Sequence, residues 1–431
     1  MKILSIAPRL PFPADTGGKI RTLNILKQLA GFAEIDLLCF SFEREDEGMS
    51  RLLRKQLRVN VHMVSHREPD LQQKIRLAFF EQRPFSVAKY FSHAMKTKIR
   101  TLTAQCVYDA VHFDHIHMAQ YRNELKTMPA VVDDHNVEYR IMERCAEVEK
   151  NPFKKFLFQQ QVEKMRDYER EAVSACTACA AVSADDAETL RILTSSTTRV
   201  HVVPNGVDTE YFKSAPAPQN PSDPDASAPD PQNPSAPGPR SSGAPVTGEL
   251  ATGGLVFTGS MDWLPNDDAM QYFIKEIFPL LKAKKADIML YIVGKSPSPK
   301  LLEMAKGDPA IEITGRVDDV RSYIEKAAVF VVPLRIGGGT RLKILEAMSM
   351  AKPVVSTTLG AEGIAHTPDQ DIVLADRPED FAHQILDLLS QPQKARSIGH
   401  KGRELVLQKY DWKIIGHLLK DIYHEIIQRS F

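Results

Sequence analysis

Short apolar runs that do not alternate with polar residues recur along this chain, and they constrain its fold more than any other feature. Residues 2–7, 35–40, 59–64, 107–113 and 130–133 are such runs in the first half. Runs at 255–259, 289–294, 311–315, 329–333 and 353–356 follow in the second. A strand that is apolar on both faces must be covered on both, as in a parallel sheet between helix layers. Helical periodicity fills intervals such as 20–29 and 153–173, so the pattern reads as repeated βαβ units. The expected class is α/β, with two doubly wound Rossmann-like domains facing a cleft. Ligands of such sheets lie at the carboxyl ends of the strands.

Residues 214–252 separate the two series and hold ten prolines among Ser, Ala, Asp, Asn and Gly, with a single Val. Such a stretch cannot bury enough apolar surface to offset its chain entropy, so it reads as a disordered insert. The length of 431 residues suits two or three domains. The first domain is expected over residues 1–196 and the second, carrying the insert, over 197–410. The terminal helix, 411–431, is expected to pack back onto the first.

Composition excludes several classes. Lys+Arg and Asp+Glu both total 55, which argues against a polyanion-coating protein, and no nucleic-acid partner is expected. No apolar run approaches the ~20 residues that span a bilayer. The apolar stretch after Met1 is too short for a signal peptide. Five cysteines do not read as a disulfide framework. A cytoplasmic location is expected, with peripheral contact at the inner membrane face left open. Cys176 and Cys179 form a CxxC with no second pair nearby, and their apolar, strand-like surroundings make them two buried thiols rather than a zinc or redox pair.

The segment 333–355, PLRIGGGTRLKILEAMSMAKPVV, carries the most chemistry. A strand ends at Pro333, and Gly337, Gly338 and Gly339 let backbone approach a ligand closely. Thr340 is expected to cap a helix over 341–350, whose free amides attract phosphate. Arg341 and Lys343 oppose the helix dipole in its first turn unless an anion binds. Glu346 stands further along, within reach of a ribose hydroxyl. A phosphate-ester site is the reading this arrangement supports. A dehydrogenase is excluded because no G-x-G-x-x-G follows the first strand. Asp133-Asp134 and Asp318-Asp319 are adjacent pairs of the kind that cap helices or face solvent, and no Asp-x-Asp metal motif stands beside a strand end.

With these residues in view, the chain resembles the retaining glycosyltransferases of family four (glycosyltransferase group 1), which have the GT-B fold. Its closest flavour is that of bacterial exopolysaccharide and exosortase-associated sugar transferases. The 333–355 segment resembles the family's donor-site helix. Val203-Pro204-Asn205-Gly206-Val207-Asp208, followed by Phe212, resembles its interdomain signature, and Ala7-Pro8 through Gly17-Gly18 its N-terminal glycine loop. Asp134-His135-Asn136-Val137-Glu138 and Tyr410-Asp411-Trp412 also fit. The resemblance covers the chain apart from the insert.

The resemblance implies transfer of a hexose from a nucleotide-diphosphate sugar to an envelope or exopolysaccharide-type acceptor, a saccharide or lipid-linked saccharide. It implies retention of configuration, with the departing phosphate helping to deprotonate the acceptor, and no required metal or cofactor. Arg341 and Lys343 would meet the diphosphate, and Gly17, Gly18, Gly259, Gly338, Gly339, Thr340 and Glu346 would line the donor. The backbone at Arg316-Val317 would recognise the base. His115 would contact the donor sugar, with His112 and His117 as nearby rivals. One departure is Gly338, which stands where the family often has a first Glu. Another is Gly259-Ser260-Met261-Asp262-Trp263, where an Arg and a Lys are usual. A sugar-nucleotide epimerase of the same fold and a non-catalytic scaffold of a polysaccharide-assembly complex are the alternatives.

The acceptor side shows basic and aromatic residues interleaved. Lys74, Arg76, Arg83, Lys89, Lys96, Lys98 and Arg100 face one acid, Glu81, with Phe79, Phe80, Phe85, Tyr90 and Phe91 between them. Residues 153–158, FKKFLF, repeat the theme. An amphipathic helix burying its aromatics is the favoured expectation, and an anionic membrane surface the alternative.

Overall fold

The computed structural model describes residues 1–43, 46–149, 151–194, 198–213, 254–337 and 339–429. The expected insert at 214–252 and Gly338 therefore lie outside the described residues. The chain forms two compact units, Met1–Asn205 with Trp412–Phe431, and Gly206–Asp411.

The first unit is built on seven parallel strands: β1 (Lys2–Ala7), β2 (Glu34–Ser41), β3 (Asn60–Ser65), β4 (Ala110–Asp114), β5 (Ala130–Asp134), β6 (Ala178–Ala181) and β7 (Arg199–Val202). Their order is β3-β2-β1-β4-β5-β6-β7. The order turns back between β1 and β4, the switch point where such sheets bind ligands. Every residue of β4, β5 and β6 is buried, so absence of alternation reports cover on both faces. The run at 107–113 begins late. Val107 is 89% exposed and the strand starts at Ala110. β7 pairs with β6, so the first unit extends through Asn205 rather than ending at 196. Cys176 and Cys179 are buried free thiols.

The helices that bear on function in this unit are α1 (Gly17–Ala30), α2 (Leu71–Phe80), α3 (Glu138–Val148) and α4 (Pro152–Ser174). The second unit contributes α5 (Leu342–Ser349), and the terminal helix is α6 (Trp412–Gln428). α6 joins the first unit's core through Trp412, Ile415, Leu419 and Tyr423, beside Leu23 and Leu26 of α1. Each such fully buried side chain stabilises by about 1.5–3 kcal/mol.

α2 departs from the favoured expectation. It closes its N-terminus with an Asp70–Gln73 capping box, yet none of its residues is buried. Leu71 is 73% and Phe80 82% exposed, and Ile75 and Phe79 are exposed on the same stripe. Phe153 and Phe156 of α4 are exposed too. Periodicity sets where apolar residues lie on a helix, but not whether a neighbour covers them.

The second unit repeats the plan with six parallel strands: β8 (Leu255–Thr258), β9 (Leu290–Val293), β10 (Ile311–Gly315), β11 (Val329–Val332), β12 (Val354–Ser356) and β13 (Val373–Leu374). Their order is β10-β9-β8-β11-β12-β13. Because all run parallel, the loops after β8, β9, β10 and β11 leave from one edge. Gly259 follows β8 and Gly294 follows β9, and a Cβ on Gly294 would stand 1.7 Å from the Gly259 carbonyl oxygen. No side-chain rotation relieves a clash between two backbones. Gly294→Ala is expected to cost the second unit about 3 kcal/mol or more, the upper end for overpacking. Gly17, whose added Cβ would meet nothing within 4 Å, should tolerate Ala within about 0.5 kcal/mol. Urea unfolding of both variants checks this, and equal midpoints would show that the two turns can separate freely.

Candidate functional site

In the first unit, side chains from four segments meet beneath the carboxyl ends of β4 and β5. Arg21 of α1 is 1% exposed. Its Nε and Nη2 donate to the two oxygens of Asp133 at 3.0 and 2.5 Å. Its remaining donors reach the carbonyls of Val203 and Pro204 and the Asn205 side chain, at 2.9, 3.1 and 3.1 Å. One guanidinium thus ties α1, β5 and the 203–205 segment together. Thr22 donates to Asp114 at 2.9 Å. His135 sets Nε2 3.2 Å from Asp133 and 3.3 Å from Asp114. Burial opposes its charged form, but these two carboxylates outweigh it and raise His135 to about 9. Burial likewise opposes ionisation of Asp133, and Arg21 with His135 overcomes it, holding that carboxyl well below the usual range.

Asp134 behaves oppositely. Successive residues of a strand point to opposite faces, so Asp134 turns away from Arg21. Both its oxygens are buried without a hydrogen-bond partner among the described residues. Burial and the nearby Glu169 push its pKa well up. Glu169, fully buried on α4, accepts from the amides of Glu138 and Tyr139 at 2.7 and 3.1 Å and so fixes the start of α3. Burial raises Glu169 to about 8. The Asp133-Asp134 pair therefore neither caps a helix nor faces solvent: Asp133 is compensated by Arg21, 112 residues earlier in the chain, and Asp134 is buried on the other face. The Asp318-Asp319 pair does act at a helix start, where Asp319 accepts from the Arg321 amide at 2.9 Å.

His115 follows β4 with φ 74° and caps the 3-10 helix Ile116–Leu125. Its amide donates to the Asp133 carbonyl at 3.0 Å. Its Nδ1 faces Nδ1 of His117 at 2.5 Å, and its Nε2 lies 3.7 Å from Glu138 Oε1. Burial, aided by cationic His135, lowers His115 to about 3, so the ring is neutral at pH 7. His112 is buried and bonded to Tyr423 at 2.8 Å, a structural role. Gly17 and Gly18 open α1 behind its cap, Thr16.

In the second unit, Gly339 has φ 75° and leads to α5. Thr340 is not the cap. Its hydroxyl donates to the Gly363 carbonyl at 3.4 Å, and Arg341 takes the N-cap position with no side-chain cap. The helix begins one residue later than expected because Arg341 is extended, at φ −86° and ψ 98°. Lys343 reaches under the end of β8. Its Nζ lies 3.8 Å from the Phe257 ring centroid and donates to Asn266 Oδ1 at 2.9 Å. A Cβ on Gly259 would stand 2.6 Å from that Nζ, so this glycine makes room for the ammonium. Burial, with Arg341 adding repulsion, lowers Lys343 to about 7. Burial raises Glu346 to about 7, with Lys343 only partly relieving it. Asn266, which also donates to the Ser260 carbonyl at 2.8 Å, was not marked by any sequence motif. Arg316 is exposed and Val317 half-buried after β10, at the same sheet edge.

The sequence matches glycosyltransferase family 4 over residues 48–211 and glycosyl transferases group 1 over residues 252–391. It is 24% identical over 167 residues to an uncharacterized 44.6 kDa protein of the cps region of Klebsiella pneumoniae, covering 37% of this chain and 43% of that one. Among the leading curated relatives, the matched part spans 34–43% of their own length. Sucrose-phosphate synthase from Thermosynechococcus elongatus superposes with TM-score 0.66 at 16% identity, over 100% of both chains. Anabaena HepE, solved in complex with UDP, gives 0.65 at 13% identity, over 99% of this chain and 100% of that one. These likenesses establish the GT-B fold.

The buried network has a pH signature. His135 is raised in the folded state, so its contribution is complete below its unfolded pKa of about 6.5 and is lost as pH rises through about 9. Glu169 is raised too, so its burial grows costlier from about pH 4.3 up through about 8. Stability should therefore fall between about pH 6.5 and 9, less steeply in His135→Asn. Arg21→Met, which strands a buried carboxylate, should cost about 3–5 kcal/mol at pH 7. Denaturant unfolding across that range is the measurement, and parallel curves for parent and His135→Asn would contradict the assignment.

Proposed function

Because this chain is a glycosyltransferase of the group 1 family, we propose that it moves a sugar from a nucleotide-diphosphate donor to an envelope or exopolysaccharide-type acceptor, with retention of configuration. The observation that carries this reading is Lys343. A lysine enclosed at a helix N-terminus, with its pKa depressed to about 7, lacks a full countercharge. A diphosphate laid on the first turn of α5 supplies one. It would also meet the helix amides and Arg341.

The chemistry follows from charge. Breaking the sugar–phosphate bond develops negative charge on the leaving diphosphate, and preorganised cations and amides stabilise that charge as it grows. The departing phosphate then takes the acceptor's proton, and no step calls for a metal or cofactor. Glu346 would accept from a ribose hydroxyl, the backbone at Arg316 and Val317 would meet the base, and Gly259, Gly339 and Thr340 would line the donor. Gly338 belongs to this set by sequence alone. In the first unit His115 offers a neutral imidazole to a sugar hydroxyl, and Gly17 and Gly18 offer amides and open space. Both family matches are to transferases, which favours transfer over epimerisation or scaffolding.

The acceptor reading rests on α2. Its exposed apolar stripe, with Lys74 and Arg76 beside it, suits an anionic membrane surface carrying a lipid-linked saccharide. Phe153 and Phe156 with Lys154 and Lys155 extend the same chemistry on α4. The proposed contact is peripheral, at the cytoplasmic face; among the described residues no helix is long and apolar enough to cross a membrane.

Lys343→Ala should slow transfer by on the order of 10²–10³, more than it weakens nucleoside-diphosphate binding, since charge grows on the leaving group. Glu346→Gln should chiefly weaken nucleotide binding. Turnover and calorimetry on folded variants decide, and two variants behaving like the parent would remove α5 from the site. For the membrane, vesicles containing phosphatidylglycerol should sediment the protein at low salt and release it at high salt, because exposed charge attraction is screened. Phe79→Ser with Phe80→Ser should abolish sedimentation. An unchanged variant, or no binding at low salt, returns α2 to another role.

A further inference from the structure

We propose that His115, His117 and Glu138 form a binding site for a transition-metal ion, with Zn²⁺ the fitting ion. One ligand atom of each residue lies within 4.8 Å of the others. The arrangement comes from local structure. The left-handed φ of 74° at His115 turns the chain out of β4. His115 and His117 then set their rings side by side, with centroids 4.2 Å apart. Glu138 enters from the start of α3, where Glu169 holds its amide at 2.7 Å. The site is thus braced by a buried residue outside it.

The two imidazoles satisfy each other only at Nδ1. Their Nδ1 atoms face at 2.5 Å, and only one of the two can carry a proton. The buried Nε2 of His117 has no partner among the described residues. Two imidazole nitrogens with one carboxylate oxygen suit zinc or cobalt rather than magnesium or calcium. Two nitrogens on tetrahedral zinc stand about 3.3 Å apart, so the pair need open by less than about 1 Å. The His115 and Glu138 side chains are 20% and 16% exposed, which gives the ion a way in and leaves a fourth position open.

A second cluster, His112 with Asp114 and Asp133, also gathers ligand atoms within 4.8 Å, but its groups are already engaged. Arg21 and His135 hold Asp133, Thr22 and His135 hold Asp114, and Tyr423 holds His112. A cation there would stand against a guanidinium and an imidazolium. At the 115–117–138 site the His135 imidazolium packs against the His115 ring, with centroids 4.8 Å apart, but its Nε2 is directed to Asp114 and Asp133 rather than to the three ligand atoms.

An ion held there withdraws the lone pair of His115, so zinc should inhibit sugar transfer. That consequence rests on the role proposed for His115, whereas metal binding does not. The test uses the full chain stripped with chelator. Co²⁺ should give visible d–d absorption without thiolate charge-transfer bands, and Zn²⁺ should displace it at one ion per chain by calorimetry. His117→Gln and Glu138→Gln should each weaken binding by about tenfold or more, and Cys106→Ser with Cys145→Ser should not. Absence of the Co²⁺ spectrum, thiolate bands in the parent, or affinity unchanged in the folded His117→Gln and Glu138→Gln variants each overturns the site. The parent spectrum decides alone if those variants fail to fold. Failure to bind zinc leaves the transferase reading intact, while binding without inhibition removes only the role given to His115.

Discussion

The Arg21 guanidinium lies inside the first unit, where an uncompensated charge could not stay. Asp133 neutralises it, and three oxygens of residues 203–205 take its remaining donors. This contact fixes α1, and with it Gly17 and Gly18, to the interior strand β5 and to the segment where the chain leaves the unit. His135 rests on the same carboxylate, and His115 hangs by its amide from the Asp133 carbonyl. The polar end of the first sheet is therefore one network in which each charge depends on its neighbours.

The second unit meets the same constraint differently. Lys343 is enclosed by Phe257, Asn266 and Gly259, and the carboxyl nearest in sequence on its helix, Glu346, is itself pushed toward neutrality. Arg21 is satisfied by the fold. Lys343 is left partly discharged, the state expected of a group whose partner is a ligand.

Much of this was legible in the sequence, for a physical reason. Strands buried on both faces leave unbroken apolar runs, so β1, β2, β5 and the strands around β8 and β11 could be read directly. β7 and β13 are edge strands of four and two residues, and they leave no such trace. The glycine turn and basic helix start at 337–343 were readable because that chemistry is local. Thr340 misled, since a hydroxyl before a helix pattern is an ordinary cap, and here it serves the Gly363 carbonyl instead. The pairing of Asp133 with Arg21, the bracing by Glu169 and the support of Lys343 by Asn266 all join residues far apart in the chain. No spacing rule finds them. α2 shows the converse limit, because its stripe was plain in the sequence and its lack of cover was not.

The partly discharged Lys343 is the group proposed to receive the diphosphate. At pH 8 a lysine with a pKa near 7 is mostly neutral, and Glu346, also near 7, is mostly ionised. A bound diphosphate should recharge the lysine, and the proton must come from solvent. Calorimetric titration with uridine and guanosine diphosphates at pH 8, in two buffers of different ionisation enthalpy, measures that proton directly. Uptake approaching one proton per bound nucleotide is expected, lost in Lys343→Met. Nucleotide binding without uptake, or uptake undiminished in that variant, would contradict it.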